Sequence, residues 1–345
     1  MNKLTDKKLY ISVLNVVSCW SVVALHTNGV FWSRPHGRLW ITANFIETFF
    51  YFAVPVFFMI SGANLVDYRE RYSTKEFLKK RFKKTVIPFI LWSIIAGIFI
   101  SLIYNQSFDF NVRHIIDNII NAKYFGIYWF FPPLFAIYLS MPLIGAVQDK
   151  IKIYTYASIV GIILVGIIPL VFDLLVIGSW SITPPIVSGY MIYVLLGYVF
   201  DKVYISKNNR MIIYLFGILG WLLHMGGTLF MSRGLEAIDQ TFKGYLNIPC
   251  IMHSMAIFIF FKYIDYESLL KKGYFRFVSI VNKIAQYTFG IYLLHYFFVI
   301  GLPKAMAIET ESLFWRLGGA LGIFIICEII TSVTKKVAGF KYLFP

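Results

Sequence analysis

Ionisable side chains are scarce inside the long apolar stretches of this sequence, and those few are the residues able to do chemistry. His26, Glu47 and His295 lie in three such stretches, and His224 and His253 lie in two more. An imidazole, with an unperturbed pKa of about 6.5, can act as a general base at neutral pH. A nearby carboxylate such as Glu47 can orient the ring or stabilise its protonated form. These residues could therefore remove a proton from a nucleophile such as a hydroxyl group.

Each of these residues also has a purely structural interpretation. Burying an ionisable group at membrane depth costs about 2.5 to 3.5 kcal/mol for Asp, Lys or Arg, so each one marks a functional-site hypothesis. A single intramembrane histidine is nevertheless often a packing residue bonded to a neighbouring carbonyl, which is the favoured interpretation of His224 or His253 taken alone. Glu47 could equally be a neutral carboxyl in a helix interface. Glu328 lies apart from the others, deep in the last stretch.

The composition indicates that lipid, rather than water, surrounds much of this chain of 345 residues. Hydrophobic residues make up 59% and charged residues 14%, with a mean hydropathy of +0.71, whereas soluble domains are about 25% charged. The net charge of +15 does not indicate a nucleic-acid partner, because the basic residues alternate with apolar runs. Cys19, Cys250 and Cys327 lie far apart and form neither a disulfide framework nor a metal-ligand spacing.

Ten stretches are apolar and long enough to cross a bilayer as helices of about 17 to 25 residues. The sequence therefore predicts one all-α domain over residues 1–345, a polytopic integral membrane protein with ten transmembrane helices. The predicted sixth helix is short, opens with Pro184-Pro185 and contains Gly189 and Gly197, so we expect it to be tilted or broken. The predicted spans lie near 10–32, 42–66, 85–104, 127–147, 154–172, 185–200, 211–231, 247–264, 284–303 and 313–334.

The basic residues between these stretches predict the orientation. Lys and Arg accumulate on the cytoplasmic side of short loops, and alternate segments starting with the N-terminus carry 24 of the 32 basic residues. This predicts that both termini are cytoplasmic. It also places His26, Glu47, His224 and His253 in the outer halves of their helices and His295 near the middle of its own. We therefore expect a polar cavity that opens toward the outside.

The densest basic cluster, Lys79-Lys80-Arg81-Phe82-Lys83-Lys84, precedes Pro88 on the predicted cytoplasmic side. A topology signal or a contact with anionic lipid would explain this charge. The sharper hypothesis is a phosphate-rich cytosolic ligand such as coenzyme A, because Arg offers bidentate contacts and Lys offers point-charge contacts to phosphate. Tyr128, Trp129 and Trp315 belong by default to the aromatic belt at the headgroups.

Five short motifs in chain order resemble the membrane acyltransferase-3 family. The first is the segment from Leu14-Asn15 to Val22-Val23-Ala24-Leu25-His26, which is similar to the first-helix segment that ends in the family's catalytic histidine. Residues 77–89 resemble its basic approach to the third helix, with Arg81 and Lys84 at the family's Arg positions. The other three are Val54-Pro55-Val56-Phe57-Phe58-Met59-Ile60-Ser61-Gly62, Tyr128-Trp129-Phe130 and Gly290-Ile291-Tyr292-Leu293-Leu294-His295.

The resemblance implies an acyl-CoA-dependent O-acyltransferase that moves an acetyl or similar acyl group to a hydroxyl of a cell-surface or lipid-linked carbohydrate. It implies His26 as general base, with Glu47 and His295 as further catalytic residues. Contacts to the acyl-CoA donor are expected from Arg81, Lys84, Lys80 and Trp129. Acetyl-CoA would be a donor substrate and not a permanently bound cofactor, and no metal is expected.

Two positions depart from the family pattern. Asn15 stands where the family has an Arg eleven positions before the first-helix histidine, and Lys84 stands in place of an Arg. Asn can donate a hydrogen bond but holds no permanent charge, so either a neighbouring base such as Lys84 supplies the charge or the substrate is handled differently. Lys84 lacks the bidentate fork of Arg.

Other function classes fit the same residues. A transporter or export partner for a polysaccharide or a small polar solute would also use intramembrane His and Glu, although it has no need of a basic loop aimed at a nucleotide. A lipid-binding or sensing module is a weaker alternative. The expected partners are membrane lipids, cytosolic acyl-CoA and a carbohydrate acceptor, and the expected location is a cell membrane, of bacterial plasma-membrane type.

Overall fold

All regular secondary structure in the described part of the chain is helical. A computed structural model describes residues 8–33, 35–340 and 342–344, so residues 1–7 of the predicted cytoplasmic N-terminus lie outside it. The α-helices are α1 (Leu9–Thr27), α2 (Gly37–Phe50), α3 (Ala53–Leu65), α4 (Thr74–Arg81), α5 (Ile87–Ile103), α6 (Val112–Ile120), α7 (Phe131–Ile144), α8 (Lys150–Gly161), α9 (Ile168–Leu175), α10 (Met191–Lys202), α11 (Lys207–Met231), α12 (Ile248–Lys262), α13 (Tyr266–Leu270), α14 (Tyr274–Ala285), α15 (Thr288–Met306) and α16 (Ala320–Thr334).

Short segments of other helix types extend or join these α-helices. Residues 82–86 are a π-helical segment that joins α4 to α5, and 162–167 likewise join α8 to α9. The remaining segments are the π-helical turn Phe314–Gly319 and the 3₁₀ turns Gly29–Trp32, Tyr68–Glu70, Gly126–Phe130, Pro185–Val187, Lys271–Gly273 and Ala338–Phe340.

The all-α membrane fold is confirmed, and the predicted count of ten spans is not. Eight helices in the described residues are long and apolar enough to cross a membrane. A ninth is reached if α12 and the segment Tyr266–Ala285, which are bent by 66°, count as one span. The predicted eighth span thus corresponds to α12, the first member of this bent pair.

The helix at the predicted sixth span is shorter than a membrane-spanning helix. Its helix, α10, has only 12 residues, because Pro184-Pro185 form a separate turn and Gly189 adopts a positive φ of 55°. The side chains from Met191 to Asp201 are buried. α10 packs directly on α3: a Cβ added to Gly62 would lie 1.9 Å from the Val194 carbonyl oxygen, and one added to Gly197 would lie 2.0 Å from that of Met59. Small residues allow such backbone contact, so α10 lies inside the bundle.

Ion pairs tie several helices together at one end of the bundle, which we call the basic end. Asp67, just after α3, accepts from Lys202 of α10 at 2.7 Å and from Lys150 of α8 at 3.2 Å. Lys8 and Tyr10 at the start of α1 bond to Asp201 of α10. Because α1 starts at this end, its last turn, which carries His26, lies at the opposite end, the His26 end.

Candidate active site

The two predicted catalytic histidines meet at the His26 end. His26 lies in the last turn of α1, and His295 lies in the middle of α15. Their ring centroids are 5.2 Å apart, and the His26 ring also meets Tyr296 at 5.5 Å. His295 is fully buried, whereas His26 is half-buried and lines a cavity. The tertiary fold therefore brings together two imidazoles that are 269 positions apart in the sequence.

The hydrogen bond of His295 fixes its tautomer. Its Nδ1 lies 2.6 Å from the Tyr292 carbonyl oxygen. Since a carbonyl only accepts, Nδ1 carries the proton, and Nε2 presents a lone pair. This Nε2 is buried and has no hydrogen-bond partner among the described residues. His295 is therefore held as an acceptor beside His26.

The cavity next to His26, which we call the His26 cavity, has a volume of about 250 Å³. Its walls come from α1, α2, α3, α15, the turns around Trp32 and Trp129, and the loop before α12. The polar and titratable lining side chains are His26, Glu47, Tyr51, Tyr245 and Tyr292, and the other lining residues are Val22, Leu25, Trp32, Val54, Ile127, Trp129 and Phe130.

Glu47 lines this cavity, but it has a different partner from the expected one. Its Oε1 accepts a hydrogen bond from Nζ of Lys243 at 2.8 Å, in a pair whose side chains are 4% and 1% exposed, respectively. The structure thus pairs Glu47 with Lys243 instead of showing it as the orienting partner of His26. Burial lowers the pKa of Lys243, and the charge of Glu47 opposes this shift. A buried charge needs such a partner.

Lys243 is a charged residue of the site that the sequence did not single out, and the lining residues Trp32, Tyr51 and Tyr245 were not singled out either. It lies in the loop between α11 and α12, where a basic residue contributes only to the charge count of a connecting segment. The Nζ of Lys243 lies 3.8 Å from the ring centroid of Tyr51, 4.7 Å from Phe31 and 4.9 Å from Trp32. Only the tertiary structure folds this loop back into the bundle.

Trp129 contributes to an aromatic wall of the cavity rather than to a headgroup belt. It stacks on Tyr245 with centroids 5.4 Å apart, and Tyr245 stacks on Tyr51 at 4.2 Å with the ring planes 5° apart. The neighbouring Tyr128 is fully buried and donates to the Leu293 carbonyl at 2.9 Å, and Trp315 is also buried. The default belt interpretation is therefore wrong for these residues, because their rings face protein.

A second cavity of about 180 Å³ lies beside the first and contains Asn15. We call it the Asn15 cavity. It shares Val54, Phe130 and Tyr292 with the His26 cavity, and its other lining residues are Phe57, Ile60, Ser61, Leu134, Tyr138, Thr288 and Phe289. Eleven residues make about three helical turns, so Asn15 and His26 lie on the same face of α1, roughly 16 Å apart.

The Asn15 cavity reaches toward the basic end at Tyr138. The guanidinium carbon of Arg81 lies 5.6 Å from the Tyr138 ring centroid and 5.7 Å from that of Phe77. Arg81 is half-buried, and its Nε has no hydrogen-bond partner among the described residues. Of the three basic residues predicted to bind the donor, Arg81 is thus the one beside the cavities, and the fourth predicted donor contact, Trp129, lines the His26 cavity.

The other two basic residues of this group face outward. Lys80 pairs with Glu76 at 2.6 Å and lies 4.1 Å from the Tyr72 ring centroid, and Lys84 is exposed. Arg81, and not Lys84, therefore packs against a residue that lines the same cavity as Asn15. The fold divides the predicted cluster into one inward and several outward cations.

The remaining intramembrane histidines are buried outside the cavity lining. His224 packs edge-on against Tyr51 at 4.9 Å, and His253 lies 5.6 Å from the ring centroid of Phe52. Neither lines the His26 cavity, and the Nε2 of His224 has no hydrogen-bond partner among the described residues. In the part of the chain that the structure describes, no group of three or more His, Cys, Asp or Glu side chains could hold a metal ion.

Comparison with known proteins identifies a family. The model of a protein family described as an acyltransferase domain matches residues 8–332. This range covers α1 to within the last turn of α16 and includes every residue of both cavities. No curated protein and no solved structure matches the chain.

Proposed function

Because the chain belongs to the acyltransferase 3 family of membrane acyltransferases, we propose that it transfers an acetyl or other short acyl group from acyl-CoA to a carbohydrate hydroxyl. Family membership already favours an acyltransferase over the transporter and lipid-sensor alternatives. The observation that carries the finer proposal is a path of two adjoining cavities that share Phe130 and Tyr292 as lining residues. His26 lines one cavity, and Arg81 packs against Tyr138, which lines the other.

The size and charge of this path suit an acyl-CoA better than a nucleotide alone. Sites for drug-sized ligands occupy about 300 to 1,000 Å³, and both cavities are smaller. A thin acyl-pantetheine chain fits such a path, whereas the phosphates stay at the basic end near Arg81. A charge-assisted contact from Arg81 would hold a phosphate there.

In the proposed reaction, the acceptor hydroxyl occupies the His26 cavity. His26 removes its proton as the oxygen attacks the thioester carbonyl, and the tetrahedral intermediate collapses with loss of the CoA thiolate, which the proton neutralises. The lone pair on Nε2 of His295 accepts a hydrogen bond from the imidazolium form of His26 and stabilises its charge. A positioned base of this kind contributes about 100- to 10,000-fold in rate.

The membrane orientation belongs to the same proposal. With the basic end in the cytoplasm, as the loop charges predict, Arg81 meets cytosolic acyl-CoA and His26 meets a carbohydrate on the outer side. The acyl group then crosses the membrane along the two cavities. We propose a bacterial-type plasma membrane as the location and O-acetylation of a surface polysaccharide or its lipid-linked unit as the outcome.

Two measurements test this proposal. The first follows acetyl-CoA turnover by purified protein and compares the wild type with His26→Ala and with His36→Ala, a matched control at an exposed histidine of the same end. We expect loss only in the first variant. The second is mass spectrometry of surface glycans from cells with and without the protein, in which a missing ester mass names the acyl group and its carrier. Unchanged glycans together with no acetyl-CoA turnover would contradict the proposal.

A further inference from the structure

Aromatic rings and one carboxylate form the wall of the His26 cavity that faces away from Asn15. Tyr51, Tyr245 and Trp129 stack in series, with centroid separations of 4.2 and 5.4 Å. Trp32 stands at the rim with 56% of its surface exposed. Such rings offer a flat apolar surface with few rotatable bonds, which suits the C–H face of a saturated ring.

Glu47 adds an unfilled hydrogen-bond acceptor to this wall. Lys243 occupies its Oε1, whereas its Oε2 is buried and has no hydrogen-bond partner among the described residues. Buried polar atoms normally have a partner, and an ionised carboxylate can only accept hydrogen bonds. A ligand of this cavity that satisfies Glu47 must therefore bring a donor such as an O–H group.

Lys243 holds both parts of the wall together. Its ammonium group binds Glu47 and lies against the rings of Tyr51 and Trp32. Two residues further along the same loop, Tyr245 joins the stack, and its carbonyl accepts from the Tyr193 hydroxyl. Since Glu47 already takes up the charge of Lys243, the pair offers no net positive charge to an anionic ligand.

We propose that Glu47 and this aromatic wall form the acceptor subsite for a polyhydroxylated ring, with Lys243 as its positioning residue. Glu47 Oε2 accepts a hydrogen bond from a ring hydroxyl other than the one that His26 deprotonates. Trp32 covers the ring face, and the stacked Tyr245 and Trp129 line its side. Glu47 thus selects which hydroxyl reaches His26. This assignment rests on the proposed acyl transfer to a carbohydrate and names the residues that recognise it.

The test uses the full-length protein in lipid nanodiscs with acetyl-CoA and a panel of methyl glycosides together with their monodeoxy analogues. For the best acceptor, we expect Glu47→Gln to raise the acceptor KM by about 10- to 100-fold, the size of one lost hydrogen bond to a charged group. One deoxy analogue should show the same loss with the wild type and no additional loss with Glu47→Gln. Trp32→Ala should raise the KM for every glycoside alike.

Controls separate misfolding from lost recognition. Asp117→Asn removes the carboxylate of an exposed pair with Lys123, 2.6 Å apart at the same end, and should leave the acceptor profile unchanged. The Kd for CoA reports whether the Glu47→Gln variant is folded. If that variant does not fold, the neutral double variant Glu47→Gln/Lys243→Gln is tested in its place. If the KM loss caused by Glu47→Gln adds to the loss caused by every deoxy analogue, this inference is wrong. The proposed acyl transfer is not affected by that result. A wild type that acylates no glycoside overturns the proposed function as well.

Discussion

Two lysine–glutamate pairs, one at each end of the bundle, have the same chemistry in different surroundings. Lys243 and Glu47 are 2.8 Å apart with side chains 1% and 4% exposed, whereas Lys80 and Glu76 are 2.6 Å apart with side chains 42% and 51% exposed. Separation alone therefore does not distinguish them. The buried pair cannot lose one partner without stranding a charge, whereas the exposed pair can exchange its partner for water or a ligand.

This difference fits the separate functions proposed for the two ends, with the reaction at the His26 end and donor binding at the basic end. At the His26 cavity, the Lys243–Glu47 pair is buried and fixed among aromatic rings, as a site that orients a reaction requires. In the described cluster of residues 79–84, Lys79, Lys83 and Lys84 are exposed and can meet a phosphate-rich ligand, whereas Arg81 turns toward the cavities. The following predictions test that contrast, from the largest expected effect to the smallest.

The largest effect is expected from His26→Ala. Loss of the proposed general base should lower kcat for acyl transfer by about 100- to 10,000-fold, with a smaller change in the Kd for acyl-CoA, because the proposed phosphate contacts lie at the other end. Steady-state kinetics and donor binding on the same preparation check this. A kcat within a factor of about three of the wild type would remove His26 from the proposed role of base.

Lys243→Met should show the largest loss of stability. Removing one partner of a buried ion pair costs about 3 to 5 kcal/mol, because Glu47 is left uncompensated. The measurement is the free energy of unfolding by denaturant titration in mixed micelles. The double variant Lys243→Met/Glu47→Gln should recover part of the loss, and a single variant as stable as the wild type would show that the pair is not buried as described.

Arg81→Ala should weaken donor binding. One lost charge-assisted contact corresponds to about 1.5 to 3 kcal/mol, or roughly 10- to 100-fold in the KM for acyl-CoA. Lys75→Ala, at an exposed lysine of the same helix, is the matched control. Equal effects in both variants would mean that general positive charge, and not the inward position of Arg81, binds the donor.

The smallest effect is expected from Lys80→Met. Exposed pairs spaced by four residues on a helix contribute about 0.3 to 0.5 kcal/mol, so the free energy of unfolding should barely change in the same titration. Addition of salt should remove even that difference, since exposed charges are screened. A loss comparable to that of Lys243→Met would erase the contrast between the two ends.

The prediction of an all-α membrane fold and of the family from the sequence is confirmed. The catalytic roles of His26 and His295 stay predictions. Apolar length alone identifies eight of the spans, because the bilayer imposes it. The sixth predicted span is not confirmed, because α10 has only 12 residues. α10 is apolar because other helices surround it, and it meets α3 at Gly62 and Gly197.

The candidate site likewise contains residues that could be predicted from the sequence and residues that could not. The types and positions of His26, His295 and Glu47 could be selected from the sequence, because an ionisable group within an apolar stretch is costly and therefore conspicuous. Lys243 could not be selected in this way, because a lysine in a connecting loop has no desolvation cost until the loop folds back and buries it. The partner of Glu47, the inward turn of Arg81 and the stack of Tyr51, Tyr245 and Trp129 are contacts between distant segments. Only the tertiary structure decides such contacts, since local sequence fixes the residue types but not the neighbours that packing gives them.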